Sequence, residues 1–267
     1  TIQFADDVAV YCSADTTQAV ASTLSTAVSS LAAWLEERGL ILNEKKSQVL
    51  TVFPGRDAGP RVTVLCRSQA LPTVTSAKYL GVIIDEGLNF QQHLKAITAK
   101  VSRKVGALWR TRRCLSLAAR VTYLKSVVMP DLTYASSCFV FCLTAQQATD
   151  LQTLENKAVR AVFGARPYDS AQPLLQRVEL YRISELHKQK ALLLTWRCIH
   201  GIAGNRLCGL ISRSPDRRTR LQKDIGAHIP PAASRAGQAR FSVAAPKLWN
   251  ALPSDIRTIP QRSVFKM

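Results

Sequence analysis

The sequence predicts an α+β fold in which a mixed region is followed by a helical region. Two observations predict it. Short runs rich in β-forming residues surround one long helical pattern in residues 1–88. From Asn89 onward, apolar residues recur at helical spacing in one segment after another. We therefore expect three domains: residues 1–88, a helical part over residues 89–205, and a basic C-terminal region over residues 206–267.

The mixed region begins with two predicted strands in residues 1–11, which surround an acidic turn at Asp6. Asp15 with Gln18 three residues later predicts a capping box that opens a helix, and Gly39 is typical of the residue that follows a helix end. Further strands are predicted over residues 46–53, 62–66 and 79–84, with a loop at Pro54 and Gly55.

In the helical region, residues 94–108 carry an apolar stripe at helical spacing, composed of Leu94, Ile97, Val101, Val105 and Leu108. Further helices are predicted over residues 117–129, where Pro130 should stop the helix, and over residues 144–162 and 185–199. Residues 212–220 and 230–239 are expected to be loops. A last short helix is expected over residues 245–252.

The composition indicates a folded protein that binds a polyanion. The hydrophobic fraction is 47% and the charged fraction 20%, which disfavours disorder. The net charge is +18. Residues 1–50 carry 3 Lys or Arg and 6 Asp or Glu, whereas the remaining residues carry 33 and 12. An acidic start before a basic body suits a cation site next to a phosphate-binding surface, although a solvated surface is the alternative.

The cellular setting is predicted from what the sequence lacks. Its seven scattered cysteines, with no signal peptide ahead of them, predict free thiols and a reducing, intracellular compartment. No apolar run approaches the roughly 18–20 residues of a membrane span, so no membrane partner is expected. The sequence opens at Thr1 within a strand-like run, from which we expect a fragment of a longer protein.

Asp6 and Asp7 are the candidate metal ligands. Two carboxylates on a tight turn between hydrophobic strands can both approach a divalent cation, and Mg²⁺ usually takes one or two carboxylates plus substrate phosphates. Two such ions can activate a hydroxyl and stabilise a leaving group. A solvent-exposed Asp-Asp turn without function is the alternative, because Asp favours turns for local reasons.

The order of several motifs resembles reverse transcriptases of non-LTR, LINE-like retrotransposons. The similarity covers motifs C, D and E of that family and extends to the C-terminal end of the chain. The matching segments are Phe4-Ala5-Asp6-Asp7, Gly39-Leu40-Ile41-Leu42-Asn43-Glu44-Lys45-Lys46-Ser47, Lys78-Tyr79-Leu80-Gly81-Val82, Ala245-Pro246-Lys247-Leu248-Trp249-Asn250-Ala251-Leu252-Pro253 and Ser263-Val264-Phe265-Lys266. The resemblance implies a partial palm of β-hairpin, helix and short strands, followed by a helical thumb and C-terminal region.

Carried over position by position, the resemblance implies roles for several residues. Asp6 and Asp7 would be catalytic metal ligands, and Lys46 would assist pyrophosphate departure, with a surface lysine as the alternative. Tyr79, Leu80 and Gly81 would form the primer-grip hairpin, with an ordinary buried strand as the alternative. Basic residues of the thumb helix would follow template and primer phosphates, unless the helix is merely amphipathic; they are Arg103, Lys104, Arg110, Arg112 and Arg113.

The resemblance also implies the partners: template RNA, a DNA primer, deoxynucleotides and Mg²⁺, with action in the nucleus. The family's palm has a further metal-binding aspartate in motif A, which would lie before Thr1. The two-metal site is therefore expected to be incomplete in this chain, and the chain inactive alone. The alternative function is a non-catalytic, basic RNA- or DNA-binding remnant of a decayed mobile element. The oligomeric state is not predicted.

Overall fold

The structure is a computed structural model that describes residues 1–53, 59–213 and 226–260. The chain divides into two compact units, one formed by Thr1–His93 and one that begins at Leu94. The predicted loop at Pro54 and Gly55 lies outside the described residues. So do residues 214–220 of the predicted basic loop and the 263–266 part of the family resemblance.

The first unit combines one long helix with short strands, which confirms the α+β class. Its elements are β1 (Ile2–Phe4), β2 (Asp7–Ala9), α1 (Thr17–Glu36), β3 (Val49–Leu50), β4 (Leu65–Cys66), β5 (Gln69–Ala70), β6 (Thr73–Val74), β7 (Ser76–Tyr79) and β8 (Val82–Asp85). The strands form two-stranded sheets. The pairs β1–β2, β4–β5 and β7–β8 are antiparallel hairpins, and β3–β6 is parallel.

The ends of α1 show which capping predictions hold. The N-cap is Thr16, whose hydroxyl accepts a hydrogen bond from the Ala19 amide, so the predicted capping box at Asp15 is wrong. Both residues are good caps, and the sequence pattern alone does not choose between neighbours. At the other end Gly39 has φ 71°, and the Leu40 amide donates to the Leu35 carbonyl, as in a Schellman motif. The prediction for Gly39 is therefore confirmed.

The core of the first unit joins α1 to the strands and to the irregular backbone between them. Ala32, Val49, Val62, Val64, Cys66 and Leu71 are buried, and side chains of α1 such as Leu24 and Val28 pack on them. The predicted strands over residues 46–53 and 62–66 are mostly wrong, because only Val49–Leu50 and Leu65–Cys66 are paired. The apolar pattern there reflects burial more than sheet pairing.

The second unit is built from helices. They are α2 (Gln91–Thr111, which begins in the first unit), α3 (Leu117–Tyr123), α4 (Met129–Thr133), α5 (Ser136–Phe139), α6 (Ala145–Phe163), α7 (Gln172–Arg177), α8 (Ile183–Ile199), α9 (Asn205–Cys208), α10 (Arg235–Ala239), α11 (Phe241–Asn250) and α12 (Ser254–Arg257). Leu94, Ile97, Val101 and Leu108 are buried, which confirms the stripe predicted for α2.

The prediction that Pro130 stops a helix is wrong. A π-helical segment, Leu124–Val128, continues α3, and Pro130 then occupies the first turn of α4. A proline is tolerated there because the first amides of a helix have no partner within it. The Thr144 start of α6 is confirmed, and its hydroxyl and the Gln147 side chain form a capping box.

The C-terminal region is more helical than predicted, since α10 lies within the loop expected over residues 230–239 and α11 begins before residue 245. Trp196 of α8 and Trp249 of α11 are buried in one cluster. Asn250 of α11 holds the backbone at Ala227. Its side-chain oxygen accepts from the Ala227 amide at 2.9 Å, and its side-chain nitrogen donates to the Ala227 carbonyl at 2.8 Å. The tryptophan and asparagine of the resembling segment are thus structural residues.

Across residues 1–53, 59–213 and 226–260, no helix is long and apolar enough to cross a membrane.

Glu155 of α6 is a fully buried carboxyl that caps another helix. It accepts the Ile183 amide at the start of α8 at 2.8 Å and the Gln152 side-chain amide at 2.6 Å. Burial raises the pKa of Glu155 to about 7, because the charged form loses its hydration. The folded chain therefore holds a proton on Glu155 at pH values at which the unfolded chain has released it.

We expect the free energy of unfolding to fall as pH rises from about 4.5 to about 7, by roughly 3 kcal/mol in total. Below this window both states are protonated, and above it both are charged. Glu155→Gln should flatten this dependence, and urea unfolding at several pH values measures it. The control Glu179→Gln changes an exposed carboxyl and should keep the slope. An unchanged slope in Glu155→Gln would contradict the prediction.

Candidate active site and nucleic-acid interface

The Asp6–Asp7 turn is a two-residue connection between β1 and β2. Phe4 pairs with Asp7, which leaves Ala5 and Asp6 as the loop residues. Ala5 adopts a left-handed backbone with φ 53°, and the Gln3 side chain donates to the Ala5 carbonyl at 3.1 Å. Both carboxylates are exposed. The hairpin predicted from sequence is confirmed, and it presents two adjacent, accessible carboxylates.

These carboxylates fit part of a magnesium site. Their hard oxygen ligands suit Mg²⁺, and full exposure leaves the remaining positions open to phosphate oxygens and water. Within residues 1–53, 59–213 and 226–260, no group of three or more His, Cys, Asp or Glu side chains could hold a metal ion. Asp6 and Asp7 can therefore supply one or two ligands, and the described residues provide no complete cage.

Lys46 lies on a turn, and the prediction that it begins a strand is wrong. Its amide donates to both the backbone and the side-chain oxygen of Asn43, each at 3.1 Å. This arrangement fixes the backbone, and the side chain is exposed. Among the described ion pairs, none joins Lys46 to Asp6 or Asp7. Lys46 is thus an accessible cation on an ordered turn, without a direct link to the acidic hairpin.

Tyr79, Leu80 and Gly81 form the tip of the β7–β8 hairpin, whereas the sequence pattern predicted one continuous strand over residues 79–84. Tyr79 pairs with Val82, so Leu80 and Gly81 are the two loop residues. Their φ values are 46° and 83°, and a two-residue turn of this kind requires positive φ at both positions. The strand is interrupted because Gly81 adopts this backbone without steric cost, while Leu80 is held there against its preference.

The basic residues predicted to contact phosphates differ in their accessibility. Arg103, Arg110 and Arg113 are exposed. Lys104 is half-buried: its Nζ lies 2.5 Å from Asp131 Oδ2 and donates to the Val127 carbonyl at 2.8 Å. Arg112 stacks over the Trp109 ring at 3.8 Å from the centroid. The structure therefore engages Lys104 and Arg112 internally, whereas the other three side chains are exposed to solvent.

Asp131 is a residue that the sequence analysis missed. Lys100 Nζ lies 2.8 Å from Asp131 Oδ1, so two lysines of α2 share this half-buried carboxyl. Burial alone would raise the pKa of Asp131, but hydrogen bonds from Lys100 and Lys104 outweigh burial and lower it. No sequence signal reveals this contact, because the residues lie on different helices. The Trp109–Arg112 stack, by contrast, could have been found from its spacing of three residues on a helix.

The first comparison matches part of the chain to a protein family. Residues 1–84 match the family described as "Reverse transcriptase (RNA-dependent DNA polymerase)". The matched segment contains the Asp6–Asp7 hairpin, the Lys46 turn and the Tyr79–Leu80–Gly81 hairpin, in the order on which the resemblance was based. The remaining described helices lie outside the match.

The curated relatives that the chain resembles are polymerases of mobile elements. The chain is 27% identical over 165 residues to a "Probable RNA-directed DNA polymerase from transposon X-element" of Drosophila melanogaster, covering 60% of this chain and 18% of that protein. It is 24% identical over 233 residues to "RNA-directed DNA polymerase from mobile element jockey" of the same species, covering 85% and 25%. The resemblance to reverse transcriptases of non-LTR retrotransposons is confirmed, at low identity.

A third relative is a "Retrovirus-related Pol polyprotein from type-1 retrotransposable element R1 2" of Nasonia vitripennis, 22% identical over 203 residues, covering 67% of this chain and 49% of that protein. The chain thus spans less than half the length of each of these relatives. No solved structure matches the chain.

Proposed function

We propose that these residues are the catalytic-turn, primer-grip and thumb portion of an RNA-directed DNA polymerase that copies retrotransposon RNA at a primed target. The observation that carries the proposal is the Asp6–Asp7 hairpin. It presents two exposed carboxylates within the segment that matches the reverse transcriptase family. The partners would be template RNA, a DNA primer and deoxynucleotides.

In this proposal Asp6 and Asp7 hold Mg²⁺ through carboxylate oxygens, and the ion supplies positive charge against the triphosphate. The hairpin positions the two side chains because its two-residue loop leaves little freedom between β1 and β2. A rigid loop matters, since ligands that are already in place need no reorganisation when the substrate arrives.

Lys46 would donate a hydrogen bond, and finally a proton, to the departing pyrophosphate. The two bonds to Asn43 hold its backbone, while the exposed side chain can swing toward a bound nucleotide. At the other hairpin, Gly81 is exposed and has no side chain, which permits a primer backbone to approach closely. Phosphate contacts fall to Arg103 and Arg110 of α2 and to Arg113 just after it, because Lys104 is paired with Asp131.

Primer extension on an RNA template with Mg²⁺ and deoxynucleotides tests the proposal in two polypeptides. The 267-residue chain should give no product, because its described residues provide only a partial ligand set. A polypeptide in which the same residues follow the upstream half of a reverse-transcriptase domain should extend the primer. Failure of that longer, folded polypeptide on RNA templates would contradict the proposed function. Efficient extension by the 267-residue chain would contradict its inactivity.

A second candidate function is nucleic-acid binding without chemistry. The net charge of +18 and the exposed arginines of α2 favour it independently of the acidic turn. Binding of this kind weakens steeply as the salt concentration rises. A polymerase would in addition extend a primer in a reaction that depends on Asp6. Salt-dependent binding in a longer polypeptide whose extension activity is absent would support this second function.

A further inference from the structure

The loop that follows α6 ends in a hydrogen-bonded turn with an exposed tyrosine. Gly164 ends α6 with φ 66°. The Asp169 amide then donates to the Arg166 carbonyl at 3.1 Å, which closes a β-turn with Pro167 in the position that proline favours. The Asp169 side chain accepts the Arg166 amide at 2.7 Å. Tyr168, at the tip of this turn, is 98% exposed.

The same turn is anchored to the body of the second unit. Arg160 Nε donates to the Asp169 carbonyl at 2.8 Å, which ties the turn to the last helical turns of α6. Together with Pro167 and the two bonds of Asp169, this contact fixes the backbone on both sides of Tyr168. The ring is therefore held out in solvent by an ordered backbone, and stacking on it would need little further ordering.

Arginines surround this end of α6. Arg120 donates to the Val162 carbonyl at 2.6 Å, and the Arg177 guanidinium lies over the Phe163 ring at 4.7 Å. A Cβ atom built on Gly164 would lie 3.7 Å from Arg112 Nε. With Arg160 and Arg166, five arginines meet here, and none of them takes part in the ion pairs found among residues 1–53, 59–213 and 226–260. The acidic side chain of the turn, Asp169, is occupied by the Arg166 amide.

We propose that this surface, composed of Tyr168 and Arg120, Arg160, Arg166 and Arg177, binds single-stranded nucleic acid, with one base stacked on Tyr168. Guanidinium groups suit phosphate oxygens and also stack on aromatic rings and bases. A duplex keeps its bases inside the stack, whereas a single strand can offer a base to a protruding ring. This inference rests on the proposed function, to which it adds a separate binding site that uses none of the residues of the acidic turn.

The test measures the affinity of the 267-residue chain for a fluorescently labelled 12-nucleotide RNA, the DNA of the same sequence and the corresponding duplex. Tyr168→Ala should weaken single-strand binding by about tenfold and change duplex binding little, because one base stack is lost. Tyr168→Phe should bind as the unchanged chain does. Tyr134→Ala is the matched control, since that tyrosine is also exposed and lies outside the surface.

Arginine substitutions test the phosphate contacts separately. Arg166→Gln and Arg177→Gln should each lower the slope of log affinity against log salt by about one. Circular dichroism checks that each variant is folded. Equal loss for RNA and DNA would show recognition of the stacked base and phosphates, and loss for RNA alone would identify RNA as the ligand.

The proposal is overturned if Tyr168→Ala binds both single strands as tightly as the unchanged chain. The assay contains no deoxynucleotides and measures no extension, so its failure would leave the primer-extension result untouched.

Discussion

Asp6→Asn should reduce RNA-templated primer extension by about a thousandfold or more in a polypeptide long enough to hold a complete reverse-transcriptase domain. The side chain sits in the two-residue loop of the β1–β2 hairpin and is exposed. Asparagine has almost the same shape and is equally suited to a turn, so the fold should be kept. What is lost is one negative charge, and with it a hard ligand for Mg²⁺.

A second variant tests whether the loss of activity comes from the missing Asp6 carboxylate and not from any Asp-to-Asn change. Asp15→Asn is the matched control, because Asp15 is an exposed aspartate that precedes α1 and lies outside the hairpin. It should leave the extension rate within about twofold of the unchanged polypeptide, as expected for a surface position without partners. Equal losses in both variants, or full activity of Asp6→Asn, would remove Asp6 from the proposed metal site.

Asp7→Asn distinguishes the two carboxylates. Asp7 is the first residue of β2 and is paired with Phe4, whereas Asp6 belongs to the loop, so the two side chains leave the backbone from different positions. A smaller loss in Asp7→Asn than in Asp6→Asn would assign the principal ligand to Asp6. The comparison needs no structural assumption beyond the register of this hairpin.

The parts of the fold that sequence predicted are those with a local physical signal. The stripe of α2, the Thr144 start of α6 and the Gly39 end of α1 follow from helical periodicity and capping chemistry. Short strands were predicted less well. Val62 and Val64 are core residues outside the paired strands, and a run of buried residues does not reveal whether its backbone is paired.

Other features depend on contacts between distant residues. The sequence pattern predicted that the helix would stop before Pro130, because no simple periodicity marks a π-helical segment such as Leu124–Val128. Lys104 appeared to be one more phosphate contact, and only the packing of α2 beside α4 reveals Asp131 as its partner. In the candidate site, the sequence predicted the Asp6–Asp7 hairpin and the family order of the motifs. The sequence did not reveal which of the lysine and arginine side chains are accessible to solvent.

Trp249→Ala should be the most destabilising single change in the second unit, with a loss of about 3–5 kcal/mol in the free energy of unfolding. Trp249 is 0% exposed and packs in the cluster with Trp196 and Ala245. Truncation removes a large buried ring from a close-packed interior and leaves a cavity that the neighbouring helices fill only in part. Urea unfolding, followed by circular dichroism, measures the loss.

Trp109→Ala is the matched control, since Trp109 belongs to the same unit but is 40% exposed and contacts the Arg112 side chain. Its loss should be about 1 kcal/mol or less, because water replaces the ring without a cavity. Equal losses would mean that helix α11 is not packed as the structure has it. A large loss confined to Trp249→Ala would show that the Ala245–Pro253 segment of the family resemblance stabilises the core. Trp249 of this segment packs in the buried cluster, and Asn250 forms two hydrogen bonds with Ala227.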